Sequence, residues 1–236
     1  MMSHNFKCIF FHITRTAGKS IEEKVFSVPS VYGSSDHGGP GDRLLNKFVT
    51  QDEFDKYFKF SFVRNTWDRA VSSFTHSQEY RMNIYNKKSF IETRKLFKEY
   101  VFNLPKPYLE NGIWLPTKSP LRTQLHWTTI NGEECLDFIG RFENLNYDFN
   151  KIRNKLLSNI DELDDDALIA TNKEIYTNNK NYITKSEFIE SVSGDLPHHN
   201  SSNKKLYNLY YDVESMNHIN ELYEDEINYF NFKFFN

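Results

Sequence analysis

Residues Lys7–Ile21 read KCIFFHITRTAGKSI, an apolar run that breaks into a small, basic, hydroxyl-rich turn and continues as a helical pattern. Residues Phe58–Phe74, FKFSFVRNTWDRAVSSF, repeat the plan: the apolar run ends in Arg64, and the helical pattern after it carries Ser72. A helix N-terminus presents unpaired N–H groups and a partial positive charge. Gly, Ser, Thr and a cation in such a strand-to-helix turn therefore form an anion cradle. Two cradles point to a ligand with two separated anionic groups. The order β-turn-α, β-turn-α also predicts a parallel sheet with helices on its faces.

Outward from these stretches, strand Lys7–Ile13 leads through Thr14–Gly18 into a helix from Lys19 to Phe26. A Gly- and Ser-rich loop at Gly33–Asp42 holds Asp36 and His37. Gln51–Tyr57 reads as a short helix, capped by Thr50 with Glu53 three residues on. Strand Phe58–Val63 and helix Trp67–Ser77 follow. Ser89–Asn103 has helical spacing and stops before Pro105 and Pro107, and the stretch to Pro120 reads as an ordered loop facing substrate. Asn131-Gly132, between the apolar-rich runs His126–Ile130 and Glu133–Ile139, predicts a hairpin. Leu145–Leu157 is amphipathic and is expected to pack on the sheet. Glu214–Phe230 is expected to be one helix whose stripe of Ile219, Leu222, Tyr223, Ile227 and Phe230 belongs to the core.

The 236 residues can bury a substantial core, and are read as one domain, 1–236. Hydrophobic residues make up only 39 %, but 21 Phe and 14 Tyr supply bulk. A net charge of −3 argues against a protein that coats nucleic acid, so any anion site must be local. Cys8 and Cys135 give no disulfide framework and read as small core hydrophobes. The acidic run Asp161–Asp166 lacks the Gly and spaced carboxylates of a calcium loop and reads as solvated. Asn172–Ser186 is polar and reads as loop or partial disorder. No secretory signal and no 18-residue apolar run is present, so no membrane span is expected.

IFFHITRTAGKSI resembles the 5′-phosphosulfate loop of the carbohydrate-type sulfotransferases, and KYFKFSFVRNTWDRAVSSF resembles their 3′-phosphate segment. Two further blocks match in order, LDFIGRFENLNYDF at Leu136–Phe149 and the stretch Leu196–Phe232, which opens LPHHNSSNKK and ends LYEDEINYFNF. The resemblance is to sulfotransferase family 2, the heparan 2-O-sulfotransferase and chondroitin/dermatan type. It implies an α/β fold with a P-loop-like central parallel sheet flanked by helices. It also implies transfer of a sulfuryl group from 3′-phosphoadenosine 5′-phosphosulfate (PAPS) to a hydroxyl by in-line displacement, with 3′-phosphoadenosine 5′-phosphate (PAP) as product and no metal required; no nucleic-acid partner is expected from the charge. The acceptor it favours is a glycan, with a small metabolite open; the oligomeric state is left unknown. Eukaryotic members of this family are typically membrane-anchored in the Golgi, whereas this chain is expected to be a soluble, cytoplasmic relative.

The resemblance assigns roles residue by residue. Backbone N–H groups of Thr16, Ala17, Gly18, Lys19 and Ser20 cradle the 5′-phosphate and sulfate, with the hydroxyls of Thr16 and Ser20 as added donors. The family's usual Pro-Lys-Thr-Ala-Gly-Thr is Thr14-Arg15-Thr16-Ala17-Gly18-Lys19 here, so the expected catalytic Lys is Arg15 and an extra Lys stands at 19. Either cation can neutralise the bridging oxygen; Arg15 is preferred, although it cannot act as a proton donor. Arg64 ends its strand where ligands bind in open parallel sheets, and Ser72, eight residues on, completes the family's grip on the 3′-phosphate. Ser202 and Lys205 fall in the family's nucleotide-closing loop. His37 is the expected general base and His12 a support of the loop. Arg141 and Glu143 are placed beside the cleft, with a mutual or helix-capping ion pair as the alternative; Gln124 and Trp127 are placed on the acceptor side.

Two rivals stand against this reading. Gly18-Lys19-Ser20 ends like a Walker motif, but a P-loop nucleotide kinase needs Gly at position 13, which is Ile13. A catalytically inactive nucleotide-binding protein would require loss of the loop or the base.

Overall fold

The computed structural model describes residues 1–3, 6–26, 39–41, 49–77, 80, 84, 89–116, 119–161, 169–170, 182–183, 185–197 and 206–235. The expectations for Asp36, His37, 162–166, Ser202 and Lys205 lie outside these residues. The chain forms two compact units. The first comprises Met1–Val63, Trp127–Thr129 and Glu134–Asn200; the second comprises Arg64–His126, Ile130–Glu133 and Ser201–Asn236.

The first unit is built on a four-stranded sheet ordered β1 (Met2–Ser3), β2 (Cys8–Phe11), β3 (Phe58–Val63) and β8 (Phe138–Arg141). β2 and β3 run parallel, Cys8 opposite Phe58 and Phe11 opposite Ser61, and β3 and β8 run parallel from Phe60 opposite Phe138 to Val63 opposite Arg141. β1 pairs antiparallel with β2, so the sheet is mixed at that edge rather than wholly parallel as expected. Both β2 and most of β3 are buried without alternation, the pattern of strands covered on two faces. On one face Phe10 stacks on Phe60 with centroids 5.1 Å apart. Ile21, Val25 and Phe26 of helix α1 (Gly18–Phe26) and Phe149, Ile152 and Leu156 of helix α6 (Leu145–Asp161) complete this core. Each such side chain contributes about 1.5–3 kcal/mol when fully buried. On the other face Phe11 meets Phe54 of helix α2 (Gln51–Lys56) edge-on at 6.4 Å. The Thr50–Glu53 capping box that opens α2 is formed as predicted.

Two details hold the sheet in register. The Lys59 N–H donates to Asp137 Oδ2 at 2.7 Å, the Asp137 N–H to the Lys59 carbonyl at 2.8 Å, and Lys59 Nζ lies 2.9 Å from Asp137. At Gly140 an added Cβ would stand 2.5 Å from the Phe62 ring, so only glycine lets β8 approach that ring.

The second unit carries helices α3 (Thr66–His76), α4 (Phe90–Phe102), α8 (Val213–Leu222) and α9 (Glu224–Tyr229). Asn65 caps α3, its side chain accepting from Trp67 and Asp68 N–H at 3.2 and 3.3 Å. Ser89 caps α4 in the same way through Glu92. Around α3 and α4, Phe97 meets Phe74 and Tyr210 edge to face at 5.3 and 5.5 Å, and Tyr100 lies tilted against Phe74 at 5.6 Å.

Several expectations are corrected. The stretch before Pro120 holds a hairpin, β4 (Tyr108–Glu110) and β5 (Ile113–Leu115), closed by Asn111 and Gly112 at φ 49° and 79°. This is the Asn-Gly signal recognised at 131–132, where φ is 54° and 84°, and it applied equally here. The run His126–Ile130 is not a strand: helix α5 (Leu125–Thr128) precedes the short β6 (Thr129–Ile130). The run Glu133–Ile139 divides into β7 (Glu133–Glu134) and β8, which leaves for the parallel sheet. Tyr182–Ile183, inside the polar stretch, pairs antiparallel with Ile169–Ala170 before it, and helix α7 (Lys185–Val192) begins at its end. The last helix breaks at Tyr223 (φ −114°, ψ 28°), whose hydroxyl donates to the Leu121 carbonyl at 2.5 Å. Glu224, Asp225 and Glu226 then open α9, acids suited to a helix N-terminus.

Candidate functional site

The first candidate site belongs to the first unit. β2 delivers the chain, fully buried, to His12, and the turn 14–17 follows. Arg15 and Ala17 have φ of 72° and 68°, left-handed conformations that cost about 1–2 kcal/mol each for residues with a Cβ. Left-handed residues at alternate positions turn successive N–H groups to one side, the geometry of an anion-binding nest. The Ala17 carbonyl accepts from Ser20 and Ile21 N–H at 3.0 and 3.3 Å. The N–H groups of Gly18 and Lys19 make no bond among the described residues, as the first donors of a helix do not. No acidic side chain stands in the first turn of α1, so its positive end is not offset from within the helix.

The side chains divide between holding this turn and facing outward. The Thr16 hydroxyl donates its one proton to the Ile13 carbonyl at 2.9 Å, and Thr16 is fully buried. It therefore ties the turn together instead of supplying the expected donor. Ser20 is buried and its hydroxyl makes no hydrogen bond among the described residues. Lys19 is exposed, with no ion pair among those residues, while Arg15 is half-buried. His12 supports the loop, as expected: its Nδ1 lies 2.7 Å from Glu22 Oε1, both residues buried, and its ring covers Gly18. An added Cβ at Gly18 would stand 1.9 Å from His12 Cδ2.

Arg141 and Glu143 belong to the same unit. Asp148 accepts the Arg141 N–H at 2.9 Å, and Glu143 is exposed in the short turn Phe142–Asn144. Trp127, 1 % exposed, is a core residue, which corrects its placement on the acceptor side. Cys8 is core as expected, and burial pushes its thiol up to about 12; the Cys135 thiol is pushed up to about 12 by the same cause.

The second candidate site belongs to the second unit. Arg64 follows β3 directly and precedes the cap of α3. Its Nε donates to Asp68 Oδ2 at 2.7 Å, with the Arg64 side chain 7 % exposed. Asp68 and Ser72 follow Arg64 at intervals of four, so they share one helix stripe. Ser72 is fully buried. The Arg64–Asp68 ion pair orients the guanidinium.

Behind Arg64 lies a network the sequence did not disclose. The Gln124 side chain accepts the Arg64 N–H at 2.8 Å and donates to the Arg64 carbonyl at 2.8 Å. Gln124 has no exposed surface, so its assignment to the acceptor side is corrected: it grips the Arg64 backbone. Glu226, 1 % exposed, receives Thr66 Oγ1 and Gln124 Nε2 on Oε1, both at 2.7 Å. Its Oε2 receives the Gln124 N–H at 2.6 Å and Thr123 Oγ1 at 2.9 Å. Arg69 is also fully buried, donating to the Arg122 carbonyl at 2.8 Å. Burial pushes its guanidinium below the usual arginine range, with Glu226 pulling the other way. The one signal for Glu226 in the sequence was an acid on the same stripe as Tyr223, Ile227 and Phe230.

Comparison with known proteins gives one match. The sequence model of a family described as the Sulfotransferase family matches residues 35–233, a span that includes Arg64 and Ser72 and begins after the turn 14–17. No curated protein and no solved structure matches the chain.

Proposed function

Because the chain belongs to the Sulfotransferase family, we propose that it transfers a sulfuryl group from PAPS to an acceptor hydroxyl, on a carbohydrate or a small metabolite. The observation that carries the reading is the turn 14–17, where left-handed Arg15 and Ala17 open α1 and the Gly18 and Lys19 N–H groups make no bond among the described residues. That turn suits the 5′ end of the donor, and Arg64 is the residue proposed for its 3′-phosphate; Ser72, fully buried, is assigned there by the resemblance alone.

The chemistry asked of these groups is positioning and charge stabilisation. The acceptor oxygen attacks sulfur in line, the bond from sulfur to the bridging phosphate oxygen breaks, PAP departs, and the acceptor proton passes to a base. Oriented N–H groups and a cation at the bridging oxygen stabilise charge that develops only during transfer. Arg15 is the preferred cation and Lys19 its alternative. His37, outside the described residues, is the proposed base, a role worth about 10²–10⁴-fold in rate. No step in this scheme calls for a metal. The proposal includes a cytoplasmic location, which cell fractionation tests; no helix among the described residues is long and apolar enough to cross a membrane.

The test is a melting scan with PAP and no magnesium, against ATP with magnesium. A ligand that binds only the folded state raises the melting temperature progressively with concentration. PAP is expected to do so and ATP to do little. Equal stabilisation by ATP, with no response to PAP, overturns the proposal in favour of a nucleotide kinase.

A further inference from the structure

We infer that Glu226, acting through Gln124, is a positioning residue that fixes Arg64 for recognition of a nucleotide 3′-phosphate. The inference rests on the function proposed for Arg64 and deepens it.

Gln124 treats Arg64 as a neighbouring strand would, accepting its N–H and donating to its carbonyl. β3 ends at Val63, so this side chain holds the backbone at the point where strand pairing stops. An amide can make that contact in one orientation only, since a flip would set NH₂ against the Arg64 N–H and oxygen against its carbonyl. Glu226 selects the orientation. Its Oε1 receives the second proton of Gln124 Nε2, and its Oε2 receives the Gln124 backbone N–H. With Thr66 and Thr123, four donors converge on this one buried carboxylate. An ionised carboxylate accepts at every position and donates at none, so it is the one side-chain group of this size that matches all four. Hydrogen-bond polarity thus runs from Glu226 through Gln124 to the Arg64 peptide, while Asp68 holds Arg64 Nε. Backbone and guanidinium are fixed from two directions.

Glu226→Gln keeps the shape and breaks the polarity. Its NH₂ must face either the Gln124 backbone N–H or Gln124 Nε2, and relief of the second clash requires the flip that opposes Arg64. Gln124→Met removes the grip and leaves Glu226 its bonds to Thr66, Thr123 and the Gln124 N–H.

Calorimetric binding of PAP and of adenosine 5′-phosphate, without magnesium, tests the inference. These ligands differ by the 3′-phosphate, so the ratio of their affinities isolates that contact, whereas a merely structural defect lowers both. Gln124→Met and Glu226→Gln are expected to shrink the ratio on the order of tenfold, as loss of one buried hydrogen-bonding system implies. In an Arg64→Ala background Gln124→Met is expected to add nothing, because coupled residues are not additive. If Glu226→Gln fails to fold, Gln124→Met still decides. A wild-type preference for PAP that survives in folded Gln124→Met protein overturns the clamp alone. Wild-type protein that binds both nucleotides equally overturns the donor reading and the clamp with it.

Discussion

Gly18→Ala probes the packing beneath the first turn. Gly18 is not among the positive-φ glycines at 112, 132 and 194, so alanine meets no backbone strain there, and the effect must come from contact. The new Cβ would stand 1.9, 2.0 and 2.6 Å from His12 Cδ2, Nε2 and Cγ. The ring must move, yet it is stacked on Phe10 at 5.8 Å and bonded to buried Glu22 at 2.7 Å. Overpacking costs about 1–3 kcal/mol and loss of a charged buried hydrogen bond about 1.5–3 kcal/mol, offset by up to about 1 kcal/mol of helix propensity. The net is about 1.5–6 kcal/mol, or roughly 3–24 °C in Tm for a chain of this size. Thermal unfolding followed by circular dichroism measures it. In a His12→Ala background the obstacle is gone, and the same substitution is expected to be neutral or slightly stabilising. An unchanged or raised Tm for Gly18→Ala in wild-type background refutes the packing of His12 over Gly18.

Three further predictions concern separate parts of the molecule. Arg15→Ala is expected to reduce turnover beyond its effect on donor affinity, because the charge it meets develops during transfer; if Lys19→Ala shows that signature while Arg15→Ala is nearly silent, the two cations exchange roles. Cys8, held as thiol by burial with its value near 12, is expected to resist iodoacetamide at pH 8 until the protein unfolds, and prompt labelling of native protein argues against its buried position. Asp212 opposes desolvation with hydrogen bonds from Ser215 and from Lys98, which hold its carboxyl at about 2, below the ordinary 3.8. The stability it contributes is therefore present above pH 3.8 and lost as pH falls toward 2. Asp212→Asn is expected to flatten that part of an acid-denaturation curve, and an unaltered curve counts against the assignment.

The parts legible in the sequence are those whose physics is local. The two apolar runs announced buried parallel strands, the residues after them announced turns, and Thr50 with Glu53 announced a cap, each through neighbours a few positions apart. The left-handed turn at Arg15 and Ala17 sits where the small-residue pattern put it, although neither residue is the glycine that usually marks such backbone. Asn111-Gly112 carries a hairpin signal of the same local kind. What only the tertiary structure decided are pairings across long stretches of chain. Gln124 meets Arg64 across 60 positions, and Glu226 meets Gln124 and Thr66 across 102 and 160. A buried polar group must find partners wherever the fold supplies them, and the residue types alone do not say where. For that reason the sequence alone marks Gln124 and Trp127 as substrate contacts and the Thr16 hydroxyl as a ligand donor, whereas the fold buries the first two and ties the third to the Ile13 carbonyl.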